Sequence, residues 1–225
     1  MSNNSNVNSH ESLKIGIILS LVGGILDAHT FLFRNGVFAN TQTGNIVLLA
    51  LFLKTNRTAK TLQCVISIVV FVFGIILTEL LKKKLKKYKI INYIHIVLII
   101  EIVSLLIITT IPKGVYNTLV IVVVSFVCSL QTNAFKSLNK SPYSTTMCTG
   151  NLRSASSSLF SFVFNKNLEE GKKCFVYFII ILSFFLGALI GRLLTNIIFE
   201  KTLLVCSFLL ALAVLILIYN NKQNK

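Results

Sequence analysis

Two short runs put the same three residues in matching places. Thr43-Gly44-Asn45 and Thr149-Gly150-Asn151 each open a short apolar segment. A Thr-Gly-Asn start supplies capping side chains and exposed backbone N–H groups at the positive end of a helix dipole. Two such ends meeting near a membrane midplane from opposite sides make a polar, anion-tolerant site, the arrangement of transporters with broken helices. The competing reading is that Thr and Asn only cap helices that begin inside the membrane, where every backbone group needs a partner. A break repeated in both halves favours the site.

Ionisable residues inside apolar runs are costly and are functional candidates by default. Asp27 is one, well inside the first apolar segment, with Asn133 as its counterpart in the second half. A carboxylate facing a neutral amide can titrate, couple protons or hold a cation, or else orient the neighbouring Thr-Gly-Asn segment. Glu101 lies mid-segment in Leu-Ile-Ile-Glu-Ile-Val-Ser and has no counterpart; it is the second proton-coupling candidate, with an interhelical hydrogen bond the blander role. His29 and His95 stand alone, so no metal site is expected, and no cofactor motif occurs. HExxH, GxSxG, the P-loop and the dinucleotide glycine pattern are all missing, which argues against an enzyme. Glu79 and Arg192 hold equivalent repeat positions and read as interfacial residues. Gly187 and Gly191, spaced GxxxG, read as close helix packing or self-association.

These residues must be positioned by membrane helices. The chain has 225 residues, 54% hydrophobic and 13% charged, with a mean hydropathy of +0.79. A soluble domain carries roughly a quarter charged residues. Six segments can span a bilayer: about Leu13–Phe33, Thr61–Leu81, Ile90–Ile111, Tyr116–Phe135, Cys174–Leu194 and Thr202–Tyr219. Two more, Thr43–Leu53 and Thr149–Phe164, read as half-helices or re-entrant elements. The first, at about 1.5 Å per residue, reaches only about 17 Å against a hydrocarbon core of about 30 Å.

The element order, long-short-long-long, occurs twice. A shift of 106 residues superimposes Asp27-Ala28 and Thr43-Gly44-Asn45 on Asn133-Ala134 and Thr149-Gly150-Asn151, and a shift of 113 matches Phe73–Leu81 to Leu186–Leu194. Ordered, glycine-bearing matches of this kind mark an internal repeat. Loop charge sets the topology. Six spans with the N-terminus inside divide Lys and Arg 15 to 7 in favour of the cytoplasm, including the run Lys82, Lys83, Lys84, Lys86, Lys87 and Lys89; eight spans divide them nearly evenly. The expected fold is therefore an all-α integral membrane protein, with six transmembrane helices and two short half-helices as two inverted repeats. Residues 1–12 read as a disordered tail, 13–221 as one membrane domain (repeats about 13–111 and 116–219), and 222–225 as a second tail. The net charge of +15 fits cytoplasmic loops and anionic headgroups rather than nucleic acid. Five scattered cysteines without CxxC spacing read as packing residues.

Gly24-Ile25-Leu26-Asp27-Ala28, Gly36-Val37-Phe38-Ala39-Asn40 and Gln42-Thr43-Gly44-Asn45 resemble the first-half signature of the YoaK family, also called DUF1275. Gln131-Thr132-Asn133-Ala134, Ser144-Thr145-Thr146 and Thr149-Gly150-Asn151 are similar to its second-half signature. The resemblance covers roughly residues 13 to 220 and departs at Asn151, where Thr is commoner. It implies a bacterial multi-pass membrane protein of about six spans and supplies no substrate. With the signature residues included, the expected substrate-binding set is Asp27, Asn40, Gln42, Thr43, Gly44, Asn45, Gln131, Asn133, Thr149, Gly150 and Asn151. The expected role is a small-solute secondary transporter or channel in the inner (plasma) membrane, with both termini cytoplasmic. Its partners would be the bilayer, an unidentified solute and, in a homo-oligomer, a second copy. The rivals are an intramembrane enzyme on a lipid-like substrate and a non-transporting scaffold.

Overall fold

A computed structural model describes residues 12–53, 55, 57–85, 93–138, 141–146 and 148–223. The N-terminal tail, Lys54, Lys86, Lys87, Lys89, Lys140 and Lys225 fall outside that set. Eight α-helices carry the described fold: α1 Leu13–Phe33, α2 Gln42–Phe52, α3 Thr58–Leu85, α4 Tyr93–Ile108, α5 Asn117–Ala134, α6 Cys148–Phe164, α7 Leu168–Ile198 and α8 Thr202–Gln223. A two-stranded hairpin, β1 Ser137–Leu138 and β2 Ser141–Pro142, lies between α5 and α6.

Helix ends follow local chemistry. Ser12 caps α1 by accepting from the Ile15 N–H. The Asn167 side chain accepts from the N–H groups of Glu169 and Glu170 and starts α7 six residues before the apolar run. That first turn is polar, with Lys172 and Lys173 paired to Glu169 and Glu170, so hydropathy alone places the start too late. A 3₁₀ turn, Phe199–Lys201, separates α7 from α8, and Phe199 there adopts φ 52°.

The helices are amphipathic inside out. On α3 the buried residues are Gln63, Cys64, Ser67, Gly74 and Thr78, while Leu62, Val69, Val72, Phe73 and Ile76 face outward. On α7, Ser183, Gly187, Gly191 and Thr195 are buried beneath exposed Phe175, Leu182, Phe185, Leu189 and Leu193. Only an apolar surrounding makes this pattern favourable, because lipid tails solvate the large side chains and small residues let helices approach. Among the described residues, four helical stretches are long and apolar enough to cross a membrane: α1, α3, α5 and Leu168–Lys222, taken through the 3₁₀ turn. The chain is an almost wholly helical membrane protein.

Packing follows the repeat. The most extensive pair is α1 with α7, followed equally by α3 with α5 and α6 with α7; α1 also packs on α8, α5 on α4, α2 on α3, and α4 on α8. Exchanging the halves leaves this pattern unchanged. A Cβ on Gly187 would overlap the Leu21 carbonyl, and one on Gly74 would overlap Ser129; Gly74 and Gly187 are equivalent at the shift of 113. Glycine is thus required at the same place in both main helix pairs. The Gly187/Gly191 face is spent on α1, against Leu21, Ile25 and Ala28, so of the two roles read for GxxxG it performs close packing within the chain.

Helix directions can be read from contacts. Gly16 lies against Ile180 and Gly191 against Ile25, and His29 bonds Thr195 at 3.1 Å, so α1 and α7 run parallel. Gln63 bonds Thr118 and Asn133 bonds Glu79, so α3 and α5 run parallel. Arg34 at the end of α1 bonds Asn117 at the start of α5, and Gln131 near the end of α5 bonds the Leu19 carbonyl. Equivalent helices α1 and α5 therefore run in opposite directions.

Removing the close approach tests this packing. Gly187→Ala should destabilise by roughly 1–3 kcal/mol through overpacking, lowering the melting point in detergent by about 5 °C. Gly150→Ala, where nothing lies within 4 Å of the added Cβ, should leave it unchanged. Equal melting points for the two variants would contradict the α1–α7 contact.

Candidate functional site

Both short helices begin halfway through the protein. Gln42 at the start of α2 reaches Ser67 of α3, which bonds Ser125 of α5 at 2.6 Å. The far end of α2 packs Phe52 against Cys64 and Ile121, back toward the end where α5 begins. Thr146, just before α6, lies against Gly23 of α1, with Phe184 of α7 beside them. The far end of α6 meets the first turn of α7, through Ser158 to Glu170 and Phe162 against Gly171.

One device anchors both starts. The Asn45 side chain accepts from the Phe38 N–H and donates to the Phe38 carbonyl, at 3.1 and 2.5 Å. Asn151 does the same to Ser144, at 3.1 and 2.6 Å. The pairs are related by the 106-residue shift. Each Asn folds the entering loop back onto its helix and satisfies two backbone groups that lipid cannot. Further loop groups are met by side chains: the Ala39 N–H by Thr30, the Ala39 carbonyl by Ser125, and the Thr145 hydroxyl by Gln131.

Asp27 serves the α2 side alone. One carboxylate oxygen accepts from the Asn40 N–H at 3.0 Å, the other from the Thr41 hydroxyl. Asn133 does not repeat this role at α6. Its amide donates to the Ile75 carbonyl and to Glu79, which also pairs with Lys136. The two halves therefore share a scaffold and differ in charge.

Between the helix starts lies a cavity of about 260 Å³, lined by Asn40, Thr41, Gln42, Thr43, Phe71, Thr146, Cys148, Thr149 and Phe184. It follows the repeat: Asn40 corresponds to Thr146, Gln42 to Cys148 and Thr43 to Thr149 at a shift of 106, and Phe71 to Phe184 at 113. Asn40 is 4% exposed, and neither amide atom has a partner among the described residues. A buried amide left in that state costs about 1–3 kcal/mol per unsatisfied group.

Of the expected substrate-binding residues, Asn40, Gln42, Thr43 and Thr149 line the cavity. Asp27 touches its rim from behind, through Asn40 and Thr41. Asn45, Gln131, Asn133 and Asn151 hold backbone or other side chains, as described above. Gly44 faces Phe38, 2.9 Å from an added Cβ, whereas Gly150 faces open space, so the two glycines are not equivalent. Glu101 lies away from the cavity, fully buried on α4, with both carboxylate oxygens unpartnered among the described residues. Thr41, Cys148, Phe71 and Phe184 are lining residues that reading the motifs alone misses. The repeat shifts carry the signal for Cys148, Phe71 and Phe184, each of which pairs with another lining residue.

A second polar cluster closes the end where α1 stops. Arg34, fully buried, donates to the Ile111 and Pro112 carbonyls and to Asn117 at 2.8 to 3.0 Å. These bonds tie the end of α1 to the α4–α5 loop.

The family model described as a protein of unknown function (DUF1275) matches residues 15–216. The chain belongs to this family. Neither a curated protein nor a solved structure matches it. For this DUF1275 chain the site therefore has to be interpreted from its own geometry.

The Asp27 bridge has a graded test. Asp27→Leu strands the buried Asn40 N–H and should cost about 1–3 kcal/mol, seen as loss of monodisperse protein in detergent. Asp27→Asn keeps an acceptor for Asn40, and the Thr41 hydroxyl can reverse to accept from the amide, so this variant should fold. Failure of Asp27→Asn alone to fold would show that the charge, not the bridge, holds the loop.

Proposed function

We propose that this protein is a small-solute secondary transporter or channel of the inner membrane, with its solute site between the starts of α2 and α6. It spans the membrane six times as two inverted three-span repeats, with α2 and α6 re-entering from opposite faces and both termini cytoplasmic. The observation that carries this reading is the cavity itself, whose lining comes pairwise from the two halves and includes the unpartnered Asn40 amide. Opposite directions for α1 and α5 and the exchange symmetry of the packing support inversion. The break at Phe199 supports two crossings within Leu168–Lys222, which as one straight helix of 55 residues would run about 80 Å, far beyond a bilayer core. Transporters built from inverted repeats put substrate at such a junction of broken helices.

Asp27 is the coupling residue of this scheme. Among the described residues it is the one carboxylate bonded to a lining segment, and its bonds to Asn40 and Thr41 link its protonation to the position of α2's start. Glu101, the other candidate, is remote from the lining and has a supporting part at most.

Two measurements test the reading. Membrane-impermeant thiol labelling of intact cells should modify a cysteine introduced at Lys113 and spare one at Lys84; the reverse pattern would overturn the topology. In proteoliposomes, Asp27→Asn should retain solute counterflow while losing acceleration by an imposed pH gradient. A well-folded variant still driven by the gradient would remove Asp27 from coupling.

A further inference from the structure

The cavity lining is polar apart from Phe71 and Phe184, with Asn, Gln, Thr and Cys side chains that can donate hydrogen bonds, and no Lys, Arg, Asp or Glu is among them. α2 starts without a side-chain cap on its first-turn N–H groups, and its first backbone bond is from Asn45 N–H to the Thr41 carbonyl. The N–H groups of Gln42, Thr43 and Gly44 thus point out of the helix start without a helical acceptor. α6, 17 residues long, also starts at the cavity, with Cys148 and Thr149 in the lining. Each helix start carries about half a positive charge, so two together roughly balance one negative charge and no more. Ionised Asp27, one hydrogen bond from the lining through Asn40 and Thr41, offsets this field, so the site is open to an anion when Asp27 is protonated.

A second observation comes from α6. Leu152, Leu159, Phe160 and Val163 face outward, as on the other lipid-facing helices. Arg153, Ser154 and Ser157 instead line an open groove that begins at Pro142, Glu170 and Lys173 and continues to Gly150 and Asn151 at the helix start. A charged residue and serines in that setting line water, not lipid. The matching residues of α2 are Val47, Leu48 and Leu51, and there Phe52 and Val37 close the path against Cys64 and Ile121. The α6 side carries an open polar groove with Arg153, and the α2 side an apolar cluster.

We propose that the cavity binds a small monovalent anion, held by the first-turn N–H groups of α2 and α6 and the Asn40 amide, and reached along the Arg153 face of α6. The inference rests on the solute-site reading above and names its ligand class. Dianions exceed the charge that two helix starts balance, and neutral solutes gain nothing from it. Phe71 and Phe184 add aromatic surface to the lining, which suits weakly hydrated ions.

Cys148 lies in the lining, and the other four cysteines are buried, so its thiol reports on occupancy. The full chain in detergent is labelled with a maleimide, and the signal absent from Cys148→Ser is followed at constant ionic strength. Sodium formate and sodium nitrate should each slow labelling at least five-fold with saturation, while formamide, ammonium and sulfate should not. Asn40→Leu should abolish the saturable protection, and Arg153→Gln should slow its onset several-fold while leaving the plateau. Thr149→Cys on the Cys148→Ser background gives a second reporter on the opposite helix start from Asn40. Equal protection by formamide and formate, or no protection by either monoanion at both reporters, would overturn the proposal. Counterflow of labelled formate separates the two readings. Protection without flux leaves the anion site and removes transport; flux of neutral solutes without anion protection does the reverse.

Discussion

A helix that starts in the middle of a membrane protein has to find hydrogen-bond partners for a loop that water cannot reach. The loops entering α2 and α6 run inward through a helical bundle, and their backbone groups are met almost one by one by side chains. Asn45 and Asn151 clasp Phe38 and Ser144, Thr30 and Ser125 hold Ala39, and Asp27 takes the Asn40 N–H. An unsatisfied buried group costs enough that most polar residues near the centre are committed to this task. The density of polar residues therefore overstates the binding site. What is left over after the backbone has been served, chiefly Asn40 and the two helix starts, is what the proposed solute site draws on.

The same environment explains the outer shell. Large apolar residues face outward on α3 and α7, and the inward stripe is made of Ser, Thr, Cys and Gly. With no hydrophobic gain from bringing two such helices together, association depends on close approach and short hydrogen bonds. Gly74 and Gly187 provide the approach at equivalent positions, and Ser67 to Ser125 is one of the bonds. Because α1 packs on α7 and α5 on α3, each half is completed by the other rather than by itself.

On that shared scaffold the halves have diverged in chemistry. The first half holds Asp27 behind its helix start and the buried Arg34 at the end of α1. The second holds neutral Asn133, tied to Glu79, and the Arg153 and serine face of α6. The frame is symmetric and the charges are not: the α6 side carries a polar groove where the α2 side carries the apolar Phe52 cluster.

Helix existence and order were legible from hydropathy, because an apolar run of given length has one outcome in a bilayer. All eight segments expected from the sequence are helices, the short ones within two residues of their expected bounds. The pairing of the two Thr-Gly-Asn starts was legible from the repeat. Hydropathy says how far a residue lies along a helix but not which way it points, since an inside-out helix in lipid carries only a weak contrast between faces. So the burial of Arg34, the turn of Asn133 toward Glu79, the openness at Gly150 and the entry of Cys148 into the cavity needed the tertiary structure. Each depends on contacts between helices far apart in the chain, and local sequence carries no record of who the partner is. By itself the sequence determined a repeated helical membrane protein with two short helices of matching start. Only the tertiary structure decided which polar groups at those starts remain unspent, because that is settled by hydrogen bonds across the two halves.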